Sequence, residues 1–279
     1  MNRRQHLLTL AALATTGCTT SATTSVTNLA QAAERRVQRI GLQLYTVRDL
    51  MAEDAAATLA KLAAIGYTEL ETAGYGNLDA KGFANAAAQN GLTPVAAHVP
   101  INLLVDAPTQ LLDEAEMIGF DYLVVPWLPP ELRNADGYQQ VIDQLNTFGA
   151  LSAARNIQLC YHNHDFEFAD LGGTRAFDLM LKDCDAELVK FELDMFWTEH
   201  AGVDTAAYLR ADPTRYPLCH VKDRTAGGDM ADVGSGEIDF GQLFAAGSGL
   251  RHYFVEHDRP VDSLQSVTAS FQGLAGVRF

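Results

Sequence analysis

The sequence predicts a single α/β domain of the (β/α)8 TIM-barrel type, preceded by an export signal. Three observations predict it. Eight short apolar runs with strand character recur along the chain, and most are separated by stretches whose apolar residues fall at helical spacing. The residues after the leader, 37–279, have the length of one such barrel. No GxGxxG follows the first strand and no Walker loop is present, which weakens the competing open doubly wound sheet.

The leader is "MNRRQHLLTLAALATTGC". Arg3 and Arg4 precede an apolar run from Leu7 to Ala14, too short for a bilayer span of about 20 residues, so it reads as a signal peptide. The arginine pair followed by Leu7 and Leu8 resembles a twin-arginine signal, with Asn2 and His6 as departures. Two endings compete: "TTGC" at 15–18, a weak lipobox that would lipidate Cys18, and "AQA" at 30–32, a small-x-small cleavage site. The bland alternative is a tail without a targeting role. The Ser/Thr-rich stretch between the two endings is linker or is removed. We assign 1–36 to signal and linker and 37–279 to the barrel. The expected location is periplasmic or lipid-anchored, with membrane contact only through Cys18.

A net charge of −15 and a pI of about 4.8 repel phosphate backbones, so nucleic acid is not an expected partner. The four cysteines form no CxxC pair. Cys160 and Cys219 fall in apolar strand runs and read as buried free thiols.

In order, the strand runs are "RIGLQLYT" (39–46), "YTELETAG" (67–74), "TPVAAHVP" (93–100), "DYLVVPWL" (121–128), "IQLCYHNH" (157–164), "LVKFELDMFW" (188–197), "PLCHVKD" (217–223) and "HYFVEHD" (252–258). Helical spacing marks 54–66, 80–91 and 137–156. Gly66, Gly91 and Gly119 close helical stretches.

Active sites of such barrels lie at the carboxyl ends of the strands. Polar residues gather there: Glu71, His98, His162 with His164, Glu192 with Asp194, His220 with Lys222 and Asp223, and Glu256 with His257 and Asp258. Strands five to eight each end in residues that can ligate a metal. One ligand from each gives His162, Asp194, His220 and Glu256, a mixed imidazole and carboxylate set suited to Mn²⁺ or Zn²⁺, with Co²⁺ and Mg²⁺ as further options. The structural alternative is a hydrogen-bond network at the mouth. His164 would hold substrate or orient a ligand, or itself be the fifth-strand ligand in place of His162. Lys222 would act as an acid/base group or as a clamp on an oxyanion, or else pair with Glu192. Glu192 would otherwise pair with Lys190 or be protonated. Glu71, His98, Trp127 and Trp197 are the candidate substrate contacts, the two indoles by stacking on a sugar; Phe196 serves equally well as core.

The runs "IGLQLYTVRDL", "YHNHDFEF", "ELDMFW", "HVKD", "VGSGEIDF" and "VEHD" resemble the sugar phosphate isomerase/epimerase family of xylose-isomerase-like barrels. The resemblance covers about 37–277. It implies one divalent metal held by Glu, Asp, His and Glu from strands five to eight. Asp194, His220 and Glu256 match the last three, while His162 stands where the family often has Glu. A metal-bound imidazole has no free lone pair, so two-base epimerisation does not fit; one-base proton removal beside a carbonyl, by Glu256 or a nearby histidine, does. The YHNH variant also resembles inosose dehydratases and 3-keto-glycoside lyases, which eliminate a group β to a ketone.

The expected function is therefore metal-dependent deprotonation of a keto-sugar or oxidised glycoside, leading to isomerisation, epimerisation or β-elimination. The catalytic candidates are Glu256, His164 and Lys222. Export argues against a phosphorylated substrate. The partner is a small carbohydrate, with homo-oligomerisation left open. The second reading is an exported sugar-binding barrel without catalysis. A third, an endonuclease of the AP type, lacks the basic surface it needs.

Overall fold

Eight parallel strands close into a barrel in the computed structural model, which describes residues 35–279. The signal, Cys18 and the 30–32 cleavage site lie outside the described residues. The barrel strands are β1 (Gly41–Gln43), β2 (Glu69–Thr72), β3 (Thr93–His98), β4 (Tyr122–Val125), β5 (Gln158–His162), β6 (Val189–Asp194), β7 (Leu218–Val221) and β10 (His252–Val255). A two-stranded antiparallel pair, β8 (Asp223–Arg224) and β9 (Met230–Ala231), comes after β7 above the barrel. The order around the barrel is β1-β10-β7-β6-β5-β4-β3-β2.

The helices are α1 (Arg48–Ile65), α2 (Ala80–Gln89), α3 (Leu103–Asp106), α4 (Pro108–Ile118), α5 (Ala135–Ala153), α6 (Ala176–Asp183), α7 (Met195–His200), α8 (Thr205–Ala211), α9 (Phe240–Ala246) and α10 (Ser263–Gly276). Their starts obey ordinary capping chemistry. Asp79, Asn134, Asp204, Asp239 and Asp262 each accept a backbone N–H of the first turn. Gly66 and Gly119 cap α1 and α4 with φ of 122° and 92°, values that a side chain would strain. Among the described residues no helix is long and apolar enough to cross a membrane.

Successive strand residues face opposite sides. The outward set, such as Leu123, Leu159, Leu193 and Val255, packs into the large core beneath the helices. The inward set forms a separate plug of Ala96, Tyr122, Val124, Cys160, Leu218 and Phe254, joined by Val95 where the β2–β3 register shifts by one residue. Below this plug lie Glu69 and His252. Above it, further along the same inward faces, stand Glu71 and Glu256. The plug thus divides the barrel interior into a floor and a mouth. Cys160 and Cys219 are buried free thiols, as expected.

The strands are shorter than the apolar runs that mark them. The largest difference is in the sixth, where "DMFW" continues the run in sequence but turns into α7 in the structure. Asp194 is the cause: its Oδ1 accepts the Trp197 N–H at 2.9 Å and starts the helix. Phe196 therefore packs in the interior, while Trp197 reaches the mouth.

Candidate metal centre and active site

The carboxyl ends of the strands open into a cavity of about 940 Å³. His162, on the last residue of β5, and His164, two residues beyond, both line it with ring centroids 4.9 Å apart. Asn163 points the other way. Its Oδ1 accepts the Asp194 N–H at 3.0 Å, and its Nδ2 lies 3.3 Å from Thr198 Oγ1, so it ties the ends of β5 and β6 together. Sequence reasoning gave Asn163 no role; its place between two histidines was the available signal. The His164 N–H donates to Glu167 Oε2 at 2.8 Å, and the Tyr161 hydroxyl donates to the other oxygen at 2.5 Å. Burial pushes this Glu167 carboxyl up to about 7.

Four side chains converge at the mouth. One ligand atom from each of His162, Asp194, His220 and Glu256 lies within 4.8 Å of the others, and all four residues are buried. Hydrogen bonds behind the ligands select the atoms. His162 Nδ1 is 3.1 Å from the Pro126 carbonyl, a group that can only accept, so Nε2 is the nitrogen turned to the Asp194 side, 3.0 Å from Oδ2. His220 Nε2 lies 2.6 Å from Glu71 Oε2 and 3.0 Å from Glu192 Oε2, which leaves Nδ1 facing the site. His220 Nδ1 and Glu256 Oε2 are 2.7 Å apart, and Lys222 Nζ lies equally close to the same oxygen. Two imidazole nitrogens and two carboxylate oxygens converging in this way fit a divalent ion. His164 stands outside this set.

Lys222, two residues past His220, places its Nζ 2.9 Å from Asp194 Oδ2, 2.7 Å from Glu256 Oε2 and 2.9 Å from Asp258 Oδ1. It does not pair with Glu192. That carboxylate meets His98 at 3.2 Å and His220 instead, so neither Lys190 nor Lys222 is its partner. Glu71 also departs from expectation. It is fully buried and spends Oε2 on His220 and His98, where it orients a ligand and does not reach the cavity. His98, Trp127, Trp197, Lys222 and Glu256 all line the cavity.

Charge sets the protonation states. Burial alone would raise Asp194 and Glu256, but Lys222 and the adjacent imidazoles outweigh it and hold both carboxyls well below their usual range. Burial would lower Lys222, and Asp194, Glu256 and Asp258 overcome that, so the ammonium stays charged. Burial would likewise lower His98, yet Glu71 and Glu192 push it up to about 9. His164 has no such partner. Burial, aided by the neighbouring His162 and Lys222, pushes it down to about 2, so it is neutral. His164 Nδ1 and Trp197 Nε1 are buried without a hydrogen-bond partner.

Comparison with known proteins gives a consistent result. A family model described as xylose isomerase-like TIM barrel matches residues 59–246. A sugar phosphate isomerase/epimerase from Parabacteroides distasonis ATCC 8503 superposes with a TM-score of 0.75 at 25% identity, over 85% of this chain and 94% of that one. A second protein of the same description and organism gives a TM-score of 0.70 at 28% identity, over 84% and 96%. The IolI protein, solved with a zinc atom, shares the fold at 13% identity with a TM-score of 0.64, over 84% and 96%. Among curated proteins none matches the chain.

Proposed function

The chain belongs to the xylose isomerase-like TIM barrel family, and from that premise we propose that it is a divalent-metal-dependent enzyme that removes a proton from the carbon beside the carbonyl of a keto-sugar or oxidised glycoside. The observation that carries this reading is the convergence of His162, Asp194, His220 and Glu256 at the inner end of a cavity that Lys222 also lines. A bound ion would polarise the substrate carbonyl and favour negative charge on its oxygen.

The remaining work falls to side chains. Glu256 borders the cavity and is ionised, so its carboxylate is the group we assign to take the proton. The C–H electrons move toward the carbonyl carbon, and negative charge grows on the carbonyl oxygen. Lys222 supplies a fixed positive charge beside that oxygen. As the oxyanion develops, Lys222 shares its charge with it, and its hold on Glu256 weakens. His162 and His220 have their lone pairs engaged as ligands and take no part as bases. His164 is neutral and offers Nδ1, and Trp197 offers its indole N–H, to sugar hydroxyls. If a leaving group stands β to the carbonyl, the same step leads to elimination; if a hydroxyl stands on the deprotonated carbon, it leads to isomerisation.

The test reads the proton directly. Purified protein is given Mn²⁺, Co²⁺ or Zn²⁺ in D₂O with a panel of free ketoses and 3-keto-glycosides, and NMR monitors the proton beside the carbonyl. Deuterium uptake that requires the metal is the expected result. Saturable sugar binding with no uptake for any substrate and metal would overturn it in favour of the non-catalytic sugar-binding barrel.

A further inference from the structure

The cavity is larger than one sugar ring needs. At about 940 Å³ it lies near the upper end of the range of about 300–1,000 Å³ that houses drug-sized ligands. It also has two chemically distinct ends. The metal end is lined by His162, His164, Lys222, Glu256 and Asp258. The other end is an apolar arm lined by Val99, Leu103, Leu111, Ala115, Phe120 and Leu123. Leu123 faces outward on β4, and Leu111 and Ala115 come from α4, so this part of the lining lies between the barrel wall and that helix.

Three flat side chains that also line the cavity stack on one another. Arg133 lies 3.5 Å from the Phe166 ring centroid and 4.9 Å from that of Trp127. Its Nε and Nη2 are fixed on the Leu128 carbonyl at 2.9 and 2.7 Å. The three side chains make a pinned aromatic and guanidinium platform, and Trp127 stays 46% exposed toward the opening. At the arm itself the main polar contact is internal: the Tyr75 hydroxyl donates to Glu114 Oε1 at 2.7 Å. A sugar or polyol ring would find partners in the arm at Tyr75 and Glu114 alone and leave its other hydroxyls unpaired.

We propose that the arm is an aglycone subsite and that this protein takes glycosides bearing an aromatic aglycone, with the oxidised sugar at the metal end and the aromatic ring in the arm. This rests on the metal end being the sugar site, as proposed above. Continuity of the two ends in one cavity is what assigns both to a single ligand.

Two measurements separate the failure of this proposal from the failure of the one it rests on. The first needs no turnover. Saturation-transfer NMR of phenol with the full chain is expected to show contact, and Leu103→Trp and Leu111→Trp, each filling the arm from a different helix, are each expected to abolish it. Absence of transfer in the wild type overturns the aglycone subsite, whatever the enzyme does to sugars. The second compares phenyl and methyl 3-keto-glucosides in the deuterium-exchange assay. The phenyl compound is expected to show a KM lower by about tenfold or more, and Leu103→Trp to bring the ratio of the two KM values toward one. Equal KM values in the wild type overturn the aglycone subsite and leave the metal-dependent step standing. Uptake with neither compound counts against the catalytic reading, and the phenol experiment then decides the arm alone.

Discussion

The barrel carries a histidine facing a buried β2 glutamate at each end, and the two arrangements differ in instructive ways. At the floor, His252 Nδ1 meets Glu69 Oε2 at 2.9 Å, and Arg39 reaches the other oxygen at 3.1 Å. One acid meets one imidazole and one guanidinium. At the mouth, His220 alone faces Glu71, Glu192, Asp194 and Glu256, and Lys222 touches Asp194, Glu256 and Asp258. Glu69 and Glu71 are two residues apart on β2, and the apolar plug lies between the layers they head. A closed pair of this kind is packing. A surplus of carboxylates gathered around one imidazole and one ammonium is a site.

The sharpest way to break this contrast is to remove one ligand at the mouth without disturbing the fold. Asp194→Asn keeps the cap on α7 but loses the ligand charge. We expect the protein to stay folded, to lose its near-stoichiometric metal by elemental analysis, and to lose activity by about 10³-fold. Full metal retention would show that the four-residue centre is misassigned. Lys222→Met is expected to split two quantities that usually move together. Ion affinity by calorimetry should rise, because an ammonium no longer competes for Asp194 and Glu256, while kcat should fall by about 10²-fold as the oxyanion loses its partner. A parallel fall in both would make Lys222 a structural group.

In the proposed centre, His220 would set the pH dependence of ion binding. Burial would lower its imidazole, but Glu192, Glu256 and Glu71 hold it well above the ordinary value, so it is protonated before an ion binds. The imidazole must shed a proton for Nδ1 to ligate. Affinity should therefore rise with pH, by about tenfold per unit while one proton is displaced, until pH passes that raised value. Calorimetry in two buffers of different ionisation enthalpy counts the protons, and a pH-independent affinity would remove His220 from the ligand set. The smallest expected effect is at the floor. Glu69→Gln should lower stability by about 1–3 kcal/mol in denaturant titration and leave metal content untouched. Loss of metal there would erase the distinction between the two ends.

Most of the fold and part of the site could be read from sequence, for a physical reason. Strand residues alternate, so His220 with Lys222 and Glu192 with Asp194 declare a shared face without any structure. What alternation does not give is height in the barrel. Asp194 is level with His220, while Glu192 is level with Leu218, one layer down. Lys222 therefore reaches Asp194 and Glu256 and not Glu192, and Glu71 ends beneath His98 instead of in the cavity. Strand pairing across the barrel sets those levels, and no local pattern carries it. The apolar arm was hidden for a related reason: Leu111, Phe120 and Leu123 look like ordinary core positions until α4 is placed against β4.

One consequence of Lys222 concerns the order in which the protein is made. In small zinc domains the ion supplies the folding energy, and the chain stays unfolded until it arrives. Here an ammonium carried by the chain already faces the Asp194, Glu256 and Asp258 carboxylates, and the protonated His98 and His220 face the layer below. On the proposed reading, maturation would have two separable stages, folding without the ion and a loading stage that exchanges protons and a lysine contact for it. Protein made without the ion would then stay folded and idle until the ion arrived.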